Sequence, residues 1–294
     1  MNIAIATHSG LYIGEFEDNQ LAIRELSKGY YYGLSCKDGK ILAGRRVDPT
    51  SESKDSPSAF EVWTYDGLCL GTPYELNGNN ICDIHQITPS SEGHYICAGT
   101  TNNVIFVTSD FNTHQEIILG KDVIGAQLIN SIHVDGDDLY FMQHNREVAP
   151  SEIIHLQHID NEWIFCNNYR LTSFGSHNIF VHDDYAYYCA SDAGAVRRVL
   201  LTDYDTEDWE MKGAIRAKEL VLDPEKHTKG LAADPDSDTL IIGISDNGTL
   251  EERFTSESYL IVLSFSDLDV RHSYRLWKPD GTNLGNINEI RILD

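Results

Sequence analysis

A short motif recurs along the chain as Tyr32-Gly33-Leu34, His85-Gln86-Ile87, Asn130-Ser131-Ile132, His177-Asn178-Ile179, Lys229-Gly230-Leu231 and Asn288-Glu289-Ile290. Its first residue is never aliphatic, although a position used only for packing has no need to be polar in every copy. Imidazole titrates near neutral pH, so His85 and His177 are the candidates for general acid and base chemistry. His85, Asn130, His177 and Asn288 together offer nitrogen and oxygen donors for one divalent metal ion. Such an ion acts as a Lewis acid or lowers the pKa of bound water. Lys229 opposes a cation at the same place. Three outcomes stay open: a metal site, a metal-free ligand or catalytic site, and a column of hydrogen-bonded channel water.

The second chemical signal is where the few basic residues fall. The chain carries 22 Lys and Arg against 46 Asp and Glu, a net charge of −24. Even so, Arg45, Arg46, Arg146 and Lys229 map to the same end of the repeat, beside His144 and Tyr32. A guanidinium fork suits carboxylate or phosphate, which makes a small anionic molecule the expected ligand. The competing reading for each arginine is a surface ion pair in an acidic protein.

These residues can meet only if the elements that carry them converge. Each motif opens an apolar run, and a turn rich in Gly and Asp leads to a second, strongly apolar run: KILAGRR, YICAGTT, LYFMQHN, AYYCASD, LIIGISD and, at the N-terminus, IAIATHS. Third runs follow, such as FEVWTYD, VIFVTSD and YLIVLSF. The motifs start 45 to 59 residues apart, and sustained helical spacing is almost absent. The pattern predicts an all-β, six-bladed β-propeller with four antiparallel strands per blade, formed by residues 1–294 as a single domain. The C-terminal strand INEIRILD would pair with the N-terminal strands and close the ring. In that fold the first strand of each blade is innermost, so the six motif residues line one mouth of a channel. Loops after second strands reach the same mouth: residues 48–58, NREVAPS after His144, and NGTLEERFTSES after Asp246.

The remaining features narrow the function classes. Strong acidity disfavours nucleic acid and anionic membranes as partners. The chain lacks GxSxG, HExxH, a P-loop and GxGxxG, so no nucleotide cofactor is expected. The six cysteines form no CxxC pair, and Cys82, Cys97, Cys166 and Cys189 lie in apolar runs. They read as buried free thiols of a reducing compartment. The N-terminus MNIAIATHSG has no basic n-region or long apolar run, which fits a cytoplasmic location. The tyrosines of Tyr30-Tyr31-Tyr32 and Tyr185–Tyr188 fit strand packing. His94, His114, His155, His158 and His272 fall on outer strands or turns and receive no role.

The arrangement resembles the six-bladed propellers of the gluconolactonase, paraoxonase and strictosidine synthase type. In the order of Asp83-Ile84-His85, Asn130-Ser131-Ile132, Ser176-His177-Asn178 and Thr228-Lys229-Gly230-Leu231-Ala232, it is similar to an uncharacterised bacterial propeller family. The first resemblance implies a central divalent metal held by Glu, Asn and Asp at the inner positions. Asn130 and Asn288 match that set in type. His85, His177 and Lys229 depart from it, which points away from calcium and toward a transition metal or a metal-free site.

Together these readings favour a metal-assisted or His-based hydrolase, lyase or isomerase acting on a small anionic metabolite. The alternative is a non-catalytic propeller that binds a ligand or a protein partner through its mouth loops.

Overall fold

The run Asn2–Thr7 is apolar at consecutive rather than alternate positions, and the computed structural model shows why. Ile3 and Ile5 pack against Ala232, Ile241 and Leu260 of one neighbouring sheet. Ala4 and Ala6 pack with Tyr31, Leu34 and Ile41 of another. Successive side chains of a strand point to opposite faces, so a strand covered on both faces must be apolar throughout. Each fully buried Ile contributes roughly 1.5–3 kcal/mol relative to an exposed one. The structure describes residues 1–48, 58–71, 74–75, 84–90, 93–98, 104–108, 115–117, 129–145, 149–201 and 218–293. Arg146, Cys82, Asp83, His114, the Cys97 side chain and residues 49–57 of the first mouth loop lie outside the described residues.

The chain is an all-β propeller built of antiparallel sheets, and six four-stranded sheets account for its named strands. Five begin with an inner strand and continue outward in sequence order. Their inner strands are Tyr30–Lys37, Ile84–Pro89, Ile129–Asp135, His177–His182 and Lys226–Asp234. The remaining sheet is composite. Its inner strand, Ile287–Leu293, pairs antiparallel with Asn2–Thr7, and Gly10–Glu17 and Gln20–Lys28 complete it. The inner strands contact one another in a cycle, each touching the next, and Lys226–Asp234 and Tyr30–Lys37 both touch Ile287–Leu293. The hairpin turns use the residues that tolerate positive φ, as at Asp38 (53°), Gly39 (71°) and Gly136 (58°). Among the described residues no helix is long and apolar enough to cross a membrane.

Every inner strand breaks register with its neighbour near its start. The residues passed over are Tyr32-Gly33, His85, Asn130, Asn178, Lys229-Gly230 and Asn288. A bulge leaves its extra residue out of the ladder and re-aims its side chain. The repeat read from sequence is thus a repeat of bulges. In one sheet it differs by a residue: His177 pairs with Cys189, and Asn178 is passed over, at φ 50°. At Gly230, with φ 83°, an added Cβ would lie 2.9 Å from Ile287 Cγ2, so both conformation and space call for glycine.

The thiols differ from expectation at Cys166. Cys36 and Cys189 are buried, but Cys69 and Cys166 are exposed. Cys166 lies on Glu162–Arg170, the outermost strand of its sheet, and is the residue skipped where His155 pairs with Asn167 and Leu156 with Phe165.

Candidate functional site

The bulges and the ends of the second strands surround a central cavity of about 750 Å³. Among the described residues, five imidazoles line it. His85 comes from its bulge, His177 and His227 from inner strands, and His8 and His144 from just beyond the strands Asn2–Thr7 and Asp138–Gln143. Lys229 and Arg253 supply positive charge, Asn286 and Asn288 supply amides, and Asp192 supplies a carboxylate. Arg253 is carried by the short 3₁₀ turn Glu252–Phe254.

One wall is aromatic. Lys229 Nζ lies 4.5 Å from the Tyr32 ring centroid and 3.3 Å from its hydroxyl, to which it donates. His85 meets the Tyr32 ring edge-on at 4.9 Å. His8 stacks on Tyr30 at 4.2 Å and meets Phe254 edge-on at 5.7 Å. Arg46 sits 4.7 Å from the Tyr30 centroid and 5.7 Å from that of Tyr32. Opposite, His144 meets His177 edge-on at 4.7 Å.

The tautomers follow from the partners. His177 Nδ1 lies 2.9 Å from the Gly175 carbonyl and 2.8 Å from Ser191 Oγ, whose own proton goes to the Thr228 carbonyl. Nδ1 is therefore the donor, which leaves Nε2 as acceptor in the neutral ring. His8 repeats the arrangement, with Nδ1 3.4 Å from the Asn286 carbonyl. Burial, reinforced by Lys229, holds both rings well below the usual imidazole range. Burial, Lys229 and Arg253 bring His227 down to about 4. At neutral pH these three rings are uncharged, and His8 and His177 present Nε2 as an acceptor beside fixed cations.

Of the residues named from sequence, the cavity brings together Tyr32, His85, His144, His177, Lys229 and Asn288. Three described ones do not line it. Asn130 donates to the Ser176 carbonyl at 2.8 Å and accepts from Ser131 Oγ at 2.9 Å, so both amide atoms are engaged in the wall. Arg45 is tied to Glu61 at 3.0 Å. Arg46 stays against Tyr30 and Tyr32, behind the wall. The four-donor metal set read from sequence does not fit this geometry, because Asn130 is turned away and Lys229 stands in the cavity. Among the described residues no three His, Cys, Asp or Glu side chains are grouped to hold a metal ion.

Sequence reasoning missed His8, His227, Arg253 and Asp192. A signal existed for His8: it is the next-to-last residue of the second-strand run IAIATHS, as His144 is of LYFMQHN. Arg253 lies inside the mouth loop NGTLEERFTSES, and His227 is two residues before Lys229.

Glu289, fully buried, lies one residue from the bulge in the closing strand. It accepts from Gln86 Nε2 at 3.3 Å and from Asn178 Nδ2 at 3.2 Å, and Arg291 lies 3.3 Å away. The two amides cannot flip, because Gln86 Oε1 accepts from the Ile132 amide and Asn178 Oδ1 from the Gly230 amide. Burial pushes the carboxyl up to about 7, against the opposing pull of Arg291, Gln86 and Lys229.

No family model matches the sequence, and neither does any curated protein sequence. Solved structures do match, several of them along nearly the whole of both chains. A chain of a nidogen/laminin complex superposes with a TM-score of 0.67 at 11% identity, covering 99% of this chain and 97% of that one. A putative 6-phosphogluconolactonase from Bacteroides fragilis gives 0.57 at 10% identity, covering 100% and 98%. The periplasmic gluconolactonase of Pseudomonas aeruginosa gives 0.57 at 10% identity, covering 100% and 99%. The likeness carries the propeller fold alone.

Proposed function

We propose that this chain is an enzyme that transforms a small anionic metabolite in the central cavity by hydrolysis, elimination or isomerisation, with imidazole as acid and base. The observation that carries this reading is the placement of Lys229, Arg253 and five histidines in one cavity of a chain with net charge −24. A polar cavity with convergent titratable groups is the usual setting for such chemistry. Lys229 and Arg253 would hold the anion. His177, its Nδ1 proton held by the Gly175 carbonyl, would take a proton at Nε2 from water or from carbon next to a carboxylate. His85, on the Tyr32 side, would serve the opposite transfer. The two lactonase-named neighbours make lactones the first substrates to screen. In this reading the six sheets are six blades around one channel, supported by the cyclic contacts of their inner strands.

The test is a screen of lactones, esters and hydroxy acids prone to elimination, run with and without chelator. Turnover should survive chelator and disappear in His177→Ala, with the Tm within a few degrees of the parent. A His177→Ala variant as active as the parent would reject the role of His177. Complete loss on chelation would reject metal-free chemistry.

A further inference from the structure

Among the described residues, His8 Nε2 and Asn288 Oδ1 are buried acceptors with no hydrogen-bond partner. His8 is 2% exposed and Asn288 1% exposed, and both line the cavity. Their orientations are fixed. The Asn288 amide donates through Nδ2 to the Tyr31 carbonyl at 2.7 Å, so the oxygen is the unpaired atom. His8 directs Nδ1 to the Asn286 carbonyl, which leaves Nε2 without a proton. The two residues are also neighbours, since Thr7 pairs with Ile287 and the His8 amide donates to the Asn286 carbonyl.

Buried acceptors in native proteins are nearly always satisfied, and an exception calls for an explanation. A ligand that satisfies these two must donate hydrogen bonds. The donor must also be uncharged, because His8 feels the positive charges of Lys229, Arg253 and Arg46. Those cations repel an ammonium group or a metal ion placed beside His8. A hydroxyl group on a molecule whose other end is anionic meets both requirements, donating to the two acceptors while its anion faces Lys229 and Arg253.

We propose that His8 Nε2 and Asn288 Oδ1 are specificity-determining acceptors that read a hydroxyl of the ligand, so that the cavity selects hydroxylated carboxylates over their deoxy counterparts. The proposal rests on the anion-binding reading above and adds the second half of the ligand. A site built to hydrogen-bond a hydroxyl rejects the analogue lacking it, because its own buried groups are then left unpaired.

Isothermal titration with matched acids tests the idea: glycolate against acetate, glycerate against propionate, and threonate against butyrate. The parent protein should bind the hydroxylated member of at least one pair at least ~10-fold more tightly. In His8→Phe, which keeps the ring stacked on Tyr30, that ratio should fall toward about 1–2, and Asn288→Ala should lower it independently. Equal binding of both members of every pair overturns the proposal and leaves the anion site standing. A ratio unchanged in both variants overturns the assignment to these residues. Binding of none of the six acids overturns both the proposal and the anion reading on which it rests.

Discussion

Asn178 Nδ2 donates to Glu289 Oε2 at 3.2 Å, joining inner strands 111 residues apart in sequence. With Gln86 on the other oxygen, three sheets meet at one buried carboxyl. Gln86, Asn178 and Arg291 all present donors to it, which suits the carboxylate, yet burial disfavours the charge and wins.

The first prediction is a pH dependence. The Glu289 carboxyl rises from 4.5 to about 7 on folding, so between those values the folded state binds more protons than the unfolded. Its contribution to stability is therefore complete below pH 4.5 and is lost as the pH rises through about 7. The full gap corresponds to on the order of 3 kcal/mol. His94 and His227, brought down to about 4, act with the opposite sign: they favour folding above pH 6.5 and cease to do so as the pH falls. Glu289→Gln isolates the carboxyl. In urea titrations from pH 5 to 8, the stability of the parent relative to Glu289→Gln should fall by about 2 kcal/mol. A pH-independent difference between the two proteins would contradict the assignment.

Lys229→Met should weaken anion binding by at least ~10-fold, as expected for loss of a charged hydrogen-bond donor. It should also move a pH profile. Lys229 helps to hold His8, His177 and His227 below their ordinary range, so its removal raises all three. The acid limb of kcat/KM should then shift to higher pH. Weaker binding with an unmoved acid limb would mean that Lys229 binds the ligand without tuning the bases.

Much of the site was legible because the repeat is periodic. Aligning the motifs on their Leu or Ile placed Tyr32, His85, Lys229 and Asn288 in register, and the cavity brings them together. What alignment cannot supply is the direction of each side chain. Asn130 occupies the same bulge as Asn288, but its amide is drawn into the wall by Ser131 and Ser176. The role of Glu289 was hidden for a similar reason. A lone carboxyl beside a motif says nothing about Gln86 and Asn178 converging on it from two other sheets.

Arg45 gives a prediction that separates stability from binding. It pairs with Glu61 at 3.0 Å, and the same carboxylate accepts from the Tyr31 hydroxyl at 2.5 Å and from Trp63 Nε1 at 3.1 Å. Glu61 is buried and Arg45 about a third exposed, so removing the guanidinium leaves a poorly compensated charge. Arg45→Ala should cost about 1–3 kcal/mol, less than for a fully buried pair because solvent screens part of the interaction. Ligand affinity at saturating folded fraction should stay within about twofold, since the side chain does not line the cavity. Loss of affinity without loss of stability would return Arg45 to the ligand site.

The closing strand carries the last prediction. Strand Ile287–Leu293 pairs with Asn2–Thr7 from Asn2↔Leu293 to Thr7↔Ile287. Ile287 and Ile290 are buried with Ile3 and Ile5 on one face, and Leu293 packs with Ala4 and Ala6 on the other. These three side chains alone bury roughly 5–8 kcal/mol of apolar stabilisation. Arg291 adds hydrogen bonds to the carbonyls of Leu34 and Ile87 on two further inner strands, at 3.0 Å each. Deletion of residues 285–294 removes all of this and leaves Asn2–Thr7 as an open edge with a bare apolar face. The loss is comparable to the whole stability of a typical domain, about 5–15 kcal/mol. The truncated chain should aggregate or show no cooperative melting by circular dichroism. Ile290→Ala, which leaves the backbone ladder in place, should fold with a deficit of about 2–5 kcal/mol. A monomeric truncation melting at the parent temperature would show that pairing of the two termini does not hold the propeller together.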